Sequence, residues 1–179
     1  SIIKYKFWGY SFNGAMSPSQ NFFASYWDPA GQGPKLTSFY STSVNEGTPI
    51  NPSALAIDTK GHGLVFGFTN GKLLGFFVQV PYKGQLTPGT PVATTASPIN
   101  KIVFHPSLDR IYFINGMSGG TDNIYVYTFD KSSGALAFLA SAHPSNNLAI
   151  NDMAISPTGN YLFVSTAQSG GKSLFAFPL

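Results

Sequence analysis

The chain has 179 residues, enough for one well-buried domain and too short for two of ordinary size. Hydrophobic residues make up 43% of it and aromatic residues 15%, against only 9% charged, which excludes a disordered chain, since disorder needs low hydrophobicity with high charge. The net charge of +3 comes from basic residues scattered without a patch, so nucleic acid is not an expected partner, and the absence of cysteine excludes a disulfide framework and thiolate metal sites.

No apolar run reaches the length of a membrane span, so no membrane is expected as a partner, and the first residues lack the pattern of a signal peptide. With 19 Gly and 13 Pro, the composition favours short strands joined by turns. In chain order, "SIIKYKFWGY" (Ser1 to Tyr10) alternates polar and apolar residues and predicts one strand outside any repeat. "GAMSPSQNFFASYW" (Gly14 to Trp27) predicts a hairpin, followed by a Pro/Gly loop over Tyr26 to Lys35 and a strand "KLTSFYS"; the next segment, "TSVNEGTPI", is short and polar and makes a weak fourth strand. The same order recurs at "LAIDTKGHGLVFGF" (Leu55 to Phe68), "KLLGFFVQV" and "TPVATTA" (Thr90 to Ala96). It recurs again at "IVFHPSLDRIYFIN" (Ile102 to Asn115), "NIYVYTFD" and "ALAFLASA" (Ala135 to Ala142), then at "MAISPTGNYLFVST" (Met153 to Thr166) and "KSLFAFPL".

These copies align on Pro18, Thr59, Pro106 and Pro157, spaced by 41, 47 and 51 residues. Two before the anchor stand Met16, Ile57, Phe104 and Ile155, one step earlier Ala15, Ala56, Val103 and Ala154, and five after it Phe23, Leu64, Ile111 and Leu162. In the third strands Leu36, Leu73, Ile124 and Leu174 share a column, with Phe39, Phe76, Tyr127 and Phe177 three residues on. Spacing of two within runs bounded by Pro, Gly, Asn and Asp is the mark of antiparallel hairpins. Four-stranded units repeating every 40 to 50 residues are the mark of β-propeller blades, because each sheet buries its faces only against its neighbours. The expected fold is therefore all-β: a propeller of about four blades at 11–50, 51–97, 98–146 and 147–179. An irregular β-sandwich is the alternative, but it has no reason to show aligned columns.

The run from Ile99 to Ala142, followed by Ile150 to Leu179, resembles consecutive blades of the lactonase-type propellers, the 6-phosphogluconolactonase-like family, and is similar to the YVTN-repeat surface proteins. The "HP" and "SP" hairpins and "YTFDKSSGAL" carry the resemblance, which is clearest over 98–179. It implies a seven-bladed ring of roughly twice this length. Four hairpins leave three arrangements open: a closed four-bladed ring, half of a larger ring shared by two chains, or a piece of a longer protein. In the first, 1–10 would act as a closing strand beside "SLFAFPL" (Ser173 to Leu179), whose outer edge otherwise needs cover, and the chain would be a complete unit. A monomer or a homodimer follows from these alternatives, and an extracellular or cell-surface location is favoured.

Chemistry is sparse. Glu46 is the only Glu and lies in a polar loop, while His62, His105 and His143 stand near turns; His105 occupies the column of Ser17, Asp58 and Ser156, where a short polar group bonds turn backbone. No catalytic residue, metal or cofactor is assigned. "NGMSGGTDN" and "AQSGGKS" (Ala167 to Ser173) lack the spacing and following helix of a phosphate loop, and both read as loops joining strands. Binding residues are expected where innermost strands begin. Five before the anchors stand Asn13, Ala54, Lys101 and Asp152, and six before them Phe12, Ser53, Asn100 and Asn151. These would ring one mouth of a central channel, with Lys101 and Asp152 as neighbours and a candidate ion pair. Trp27 and Asp28 would add an aromatic platform beside an acceptor, suited to a carbohydrate or a protein partner. A binding or scaffold propeller is the leading expectation; the alternatives are a lactonase-like hydrolase or isomerase acting at the channel mouth and a structural part of a larger propeller.

Overall fold

The repeated alternation of apolar side chains becomes four antiparallel sheets in the computed structural model, which describes strand backbone at 10–11, 19–27 and 36–45 and residues 52–58, 63–78, 86–94, 98–115, 123–145, 148–169 and 172–179. The first sheet holds β1 (Tyr10–Ser11), β2 (Ser19–Trp27) and β3 (Leu36–Asn45); the second holds β4 (Pro52–Ile57), β5 (Gly63–Phe68), β6 (Lys72–Val78), β7 (Leu86–Pro88) and β8 (Val92–Ala93). The third runs β9 (Ile99–Phe104), β10 (Arg110–Asn115), β11 (Ile124–Phe129) and β12 (Leu136–Ala142), and the fourth β13 (Ile150–Ile155), β14 (Tyr161–Ser169) and β15 (Lys172–Pro178). Strands within each sheet follow chain order, as blades do.

The last three sheets share one register. Ile57 faces Leu64, Phe104 faces Ile111 and Ile155 faces Leu162; across the next ladder Leu64 faces Phe76, Ile111 faces Tyr127 and Leu162 faces Phe177. Each connecting turn is closed by the same backbone hydrogen bond, from Asp58 N–H to Gly63 O (3.0 Å), His105 N–H to Arg110 O (2.9 Å) and Ser156 N–H to Tyr161 O (2.9 Å). The aligned columns are thus aligned in space.

Elsewhere the elements depart from expectation. In the first sheet Phe23 faces Tyr10 rather than Met16, and "TSVN" continues β3 instead of starting a fourth strand. Tyr10, the last residue of the expected closing strand, pairs with β2, while 1–9 lie outside the described residues. Tyr26 and Trp27 extend β2, paired with Ser38 and Leu36, rather than opening a loop. The fourth strand of the second sheet begins at Leu86 and is split: Phe76 faces Pro88 and Lys72 faces Ala93, because Pro88 and Pro91 carry no N–H for a continuous ladder. "AQSGGKS" is mostly strand, with Ser169 facing Lys172.

Packing between sheets explains the near-continuous apolar runs. One face of the third sheet (Ile102, Phe104, Ile111, Phe113, Tyr125, Tyr127, Phe129) joins Val65 and Leu73 of the second in one cluster, with Phe113 stacked on Tyr125 at 5.1 Å between ring centroids. Its other face (Tyr112, Ile114, Ile124) joins Ile150, Met153, Leu162 and Val164 of the fourth. All of Ile111–Asn115 and Gly63–Phe68 are therefore buried, and each fully buried Ile or Phe contributes roughly 1.5–3 kcal/mol. The inner strand β9 packs beside both β4 and β13.

Between the second and third sheets the approach is backbone on backbone. The turn after β11 is held by Asp130, whose carboxylate accepts from Ser132 N–H (2.8 Å), Ser132 Oγ (2.6 Å) and Ser133 Oγ (2.7 Å). It places Gly134 at φ +72° against Gly75 and Gly89: a Cβ on Gly75 would overlap the Gly134 carbonyl oxygen, and one on Gly89 would lie 2.6 Å from it. Only residues without a side chain allow that approach.

Candidate functional site

The inner strands β4, β9 and β13 each begin with an irregularity at the same column. Pro52 faces Phe68 while Ala54 faces Gly67, Ile99 faces Asn115 while Lys101 faces Ile114, and Ile150 faces Thr166 while Asp152 faces Ser165. Ser53, Asn100 and Asn151 are consequently extra residues, two against one, which is a β-bulge. A bulge leaves its residue out of the ladder and re-aims the side chain, and Asn100 and Asn151 are both exposed. Ser53 Oγ donates to Gly67 O at 3.2 Å, fastening the bulge of β4 across to β5.

Next to these bulges Lys101 and Asp152 form an ion pair that ties β9 to β13. The carboxylate also accepts from Met153 N–H at 2.8 Å, and the Ser165 hydroxyl donates to Asp152 O at 3.4 Å. The bond from Lys101, with the Met153 amide and the lysine's charge behind it, holds the Asp152 carboxyl below its usual value against a smaller opposing effect of desolvation. The Lys101 and Asp152 side chains remain 39% and 63% exposed, so the pair is a solvated strut at the strand ends.

Of the sequence-derived candidates, the structure brings Asn100, Lys101, Asn151 and Asp152 together. Trp27 ends β2, and Asn13 and Asp28 lie outside the described residues. Asn115 and Thr166 are additions: both are buried, each faces the residue that precedes a bulge, and Asn115 is only 2% exposed. Asn115 Oδ1 is buried with no hydrogen-bond partner among the described residues. A polar residue closing the alternate apolar series Ile111, Phe113, Asn115 and Leu162, Val164, Thr166, nine after the anchor in both copies, is the signal that would have found them.

His105 has a structural post. Its Nδ1 accepts from the N–H groups of Ser107 (3.1 Å) and Leu108 (2.9 Å), so the ring proton sits on Nε2 and is donated to Gly159 O at 3.1 Å. The ring thereby links the turn of the third sheet to that of the fourth, where Gly159 takes φ +78° and a side chain would collide with the imidazole. Among the described residues no group of three metal-binding side chains occurs, and no helix is long and apolar enough to cross a membrane.

No protein-family model matches the chain, and no curated protein matches it significantly. Among solved structures it is similar to Sqt1 from Chaetomium thermophilum, at 22% identity and TM-score 0.64 over 95% of this chain and 40% of that one. It is similar to the same protein bound to the N-terminus of the ribosomal protein L10, at 20% identity and TM-score 0.62 over 95% and 41%. A Bacteroides uniformis protein assigned to 6-phosphogluconolactonase aligns at 14% identity and TM-score 0.65 over 100% of this chain and 51% of that one. The chain thus spans about half, or less, of the length of these structures. The repeated register and these likenesses together show an all-β, β-propeller-like fold, similar to those of Sqt1 and of the Bacteroides uniformis protein.

Proposed function

We propose that the chain is a protein-binding module that takes an extended segment of a partner at the rim formed by the bulged starts of β4, β9 and β13. The observation that carries this reading is the triple bulge, which lifts Asn100 and Asn151 out of their ladders beside the Lys101–Asp152 pair. An Asn side chain offers one acceptor and two donors, the complement of a peptide unit, and a bulge keeps these groups from being used inside the sheet. Sqt1, similar in fold, has been captured with the N-terminus of ribosomal protein L10, which supports a protein segment as the class of partner.

The test is selection of binders from a displayed library of unstructured peptides on the immobilised chain, followed by calorimetry on purified peptides. Replacing both Asn100 and Asn151 with Ala should weaken binding roughly 10- to 100-fold, at about 0.5–1.5 kcal/mol per lost hydrogen bond. Phe138→Ser, on the outer strand β12, should leave it unchanged. Failure to select any peptide, or binders indifferent to the Asn changes, overturns the reading.

A further inference from the structure

The second strands of the last three sheets carry Phe68, Asn115 and Thr166 at one column, nine residues after the anchor, and all three are buried. Phe68 shows that the column accepts an apolar side chain. Thr166 shows how a polar one is satisfied locally, since its hydroxyl donates to Ala167 O at 3.0 Å. Asn115 does neither. Its N–H reaches Asn123 O at 3.3 Å, but its Oδ1 is buried with no hydrogen-bond partner among the described residues. A carboxamide oxygen in that position has given up water for nothing, which is why nearly all buried oxygens in folded proteins are bonded. The fold does not require Asn here. Its side chain follows Ile111 and Phe113 on the face toward the second sheet, at the end of β10 nearest the bulges. Asn115 faces Ile99 and Ile114 faces Lys101, so the one residue between these pairs is Asn100, bulged and exposed. Lys101, the neighbouring cation, is drawn the other way, to Asp152 of the fourth sheet.

We infer that Asn115 is a specificity residue of the rim, bonding a hydroxyl or carboxamide side chain of the partner segment that enters beside the Asn100 bulge; this rests on the rim being the peptide-binding surface. The entering group is uncharged, because an ammonium or carboxylate would lose its hydration for a single neutral partner. Hydroxyl and carboxamide groups both donate and accept, so either meets the Asn115 amide whichever way it is turned. A site whose buried polar group is satisfied only by the right ligand rejects an analogue that lacks the matching group. Ser, Thr, Asn or Gln is therefore expected at one fixed position of the peptides that bind.

Calorimetry on peptides selected with the immobilised chain tests this, each peptide being resynthesised with Ala at its Ser, Thr, Asn or Gln positions in turn. The protein variant is Asn115→Thr, which copies the locally satisfied residue of the fourth sheet. One Ala peptide should bind the wild-type chain roughly 3- to 10-fold more weakly, Asn115→Thr should bind the parent peptide more weakly by the same factor, and the two losses should not add. The melting temperature of Asn115→Thr should be no lower than that of the wild type. Should that variant fail to fold, Asn115→Leu, patterned on Phe68, takes its place in the same cycle. Peptides that depend on Asn100 and Asn151 but bind the Asn115 variants equally well overturn the inference and leave the rim reading standing. Losses that add, or binders with no fixed polar position, overturn it as well, and a library that yields no binder overturns both.

Discussion

At the scale of single residues, turn groups add polar ties between neighbouring sheets. His105 serves three backbone partners from a buried position, so His105→Ala should cost roughly 2–4 kcal/mol by leaving those groups unpaired over a small cavity, read from urea denaturation. Ser stands in this column at Ser156, where its hydroxyl accepts from Tyr161 N–H at 3.1 Å; the matching amide in the third sheet is that of Arg110, not those of Ser107 and Leu108, so His105→Ser should restore neither these two bonds nor the link to Gly159. Asp130 makes a different prediction. Hydrogen bonds from Ser132 and Ser133 lower its carboxyl from 3.8 to about 2. Because the folded value is depressed, its contribution is complete above the unfolded value and is lost as pH falls from about 4 toward 2. The wild-type melting temperature should drop more steeply across that window than that of Asp130→Asn.

At the scale of elements, a bulge is one residue more than the ladder requires. Deleting Asn151 should let Ile150 keep Thr166 and Asp152 keep Ser165 in a regular pairing, so the fold should survive with a loss of about 1–2 kcal/mol while peptide binding falls. Denaturation and calorimetry on the same deletion separate the two effects. Column alignment reached the register of the last three sheets because each buried pair, such as Ile111 with Phe104, needs an apolar residue on both strands. It reached the polar residues at the inner strand ends but not the bulges beneath them, since an inserted residue leaves the alternation on either side intact. The split strand was half reached: Val92 and Ala93 lie within the expected Thr90 to Ala96, whereas Leu86–Pro88, on the far side of the break and also paired with β6, was not expected. In the first sheet Pro18 was a poor anchor, with small residues where the other copies carry large ones, and Tyr10 took the place assigned to Met16.

For the whole molecule, stability is shared between neighbouring sheets and not held within one. Tyr112, buried between the third and fourth sheets, should cost about 3–5 kcal/mol when changed to Ala. The loss should be uneven: hydrogen exchange should rise in β13–β15 well before it rises in β5 and β6, which lie on the other side of the third sheet.

The glycine contact between the second and third sheets has a consequence for how similar repeats are kept in order. The turn bearing Gly134 can seat only on a sheet whose column at Gly75 lacks a side chain, and the other copies place Ser38, Val126 and Ala176 there. Docked on either of the last two, the turn would meet a methyl or isopropyl group where it now meets backbone. Chains assembled from look-alike units are prone to pairing the wrong neighbours while they fold. Gly75 works as an address, admitting the third unit beside the second and refusing it elsewhere.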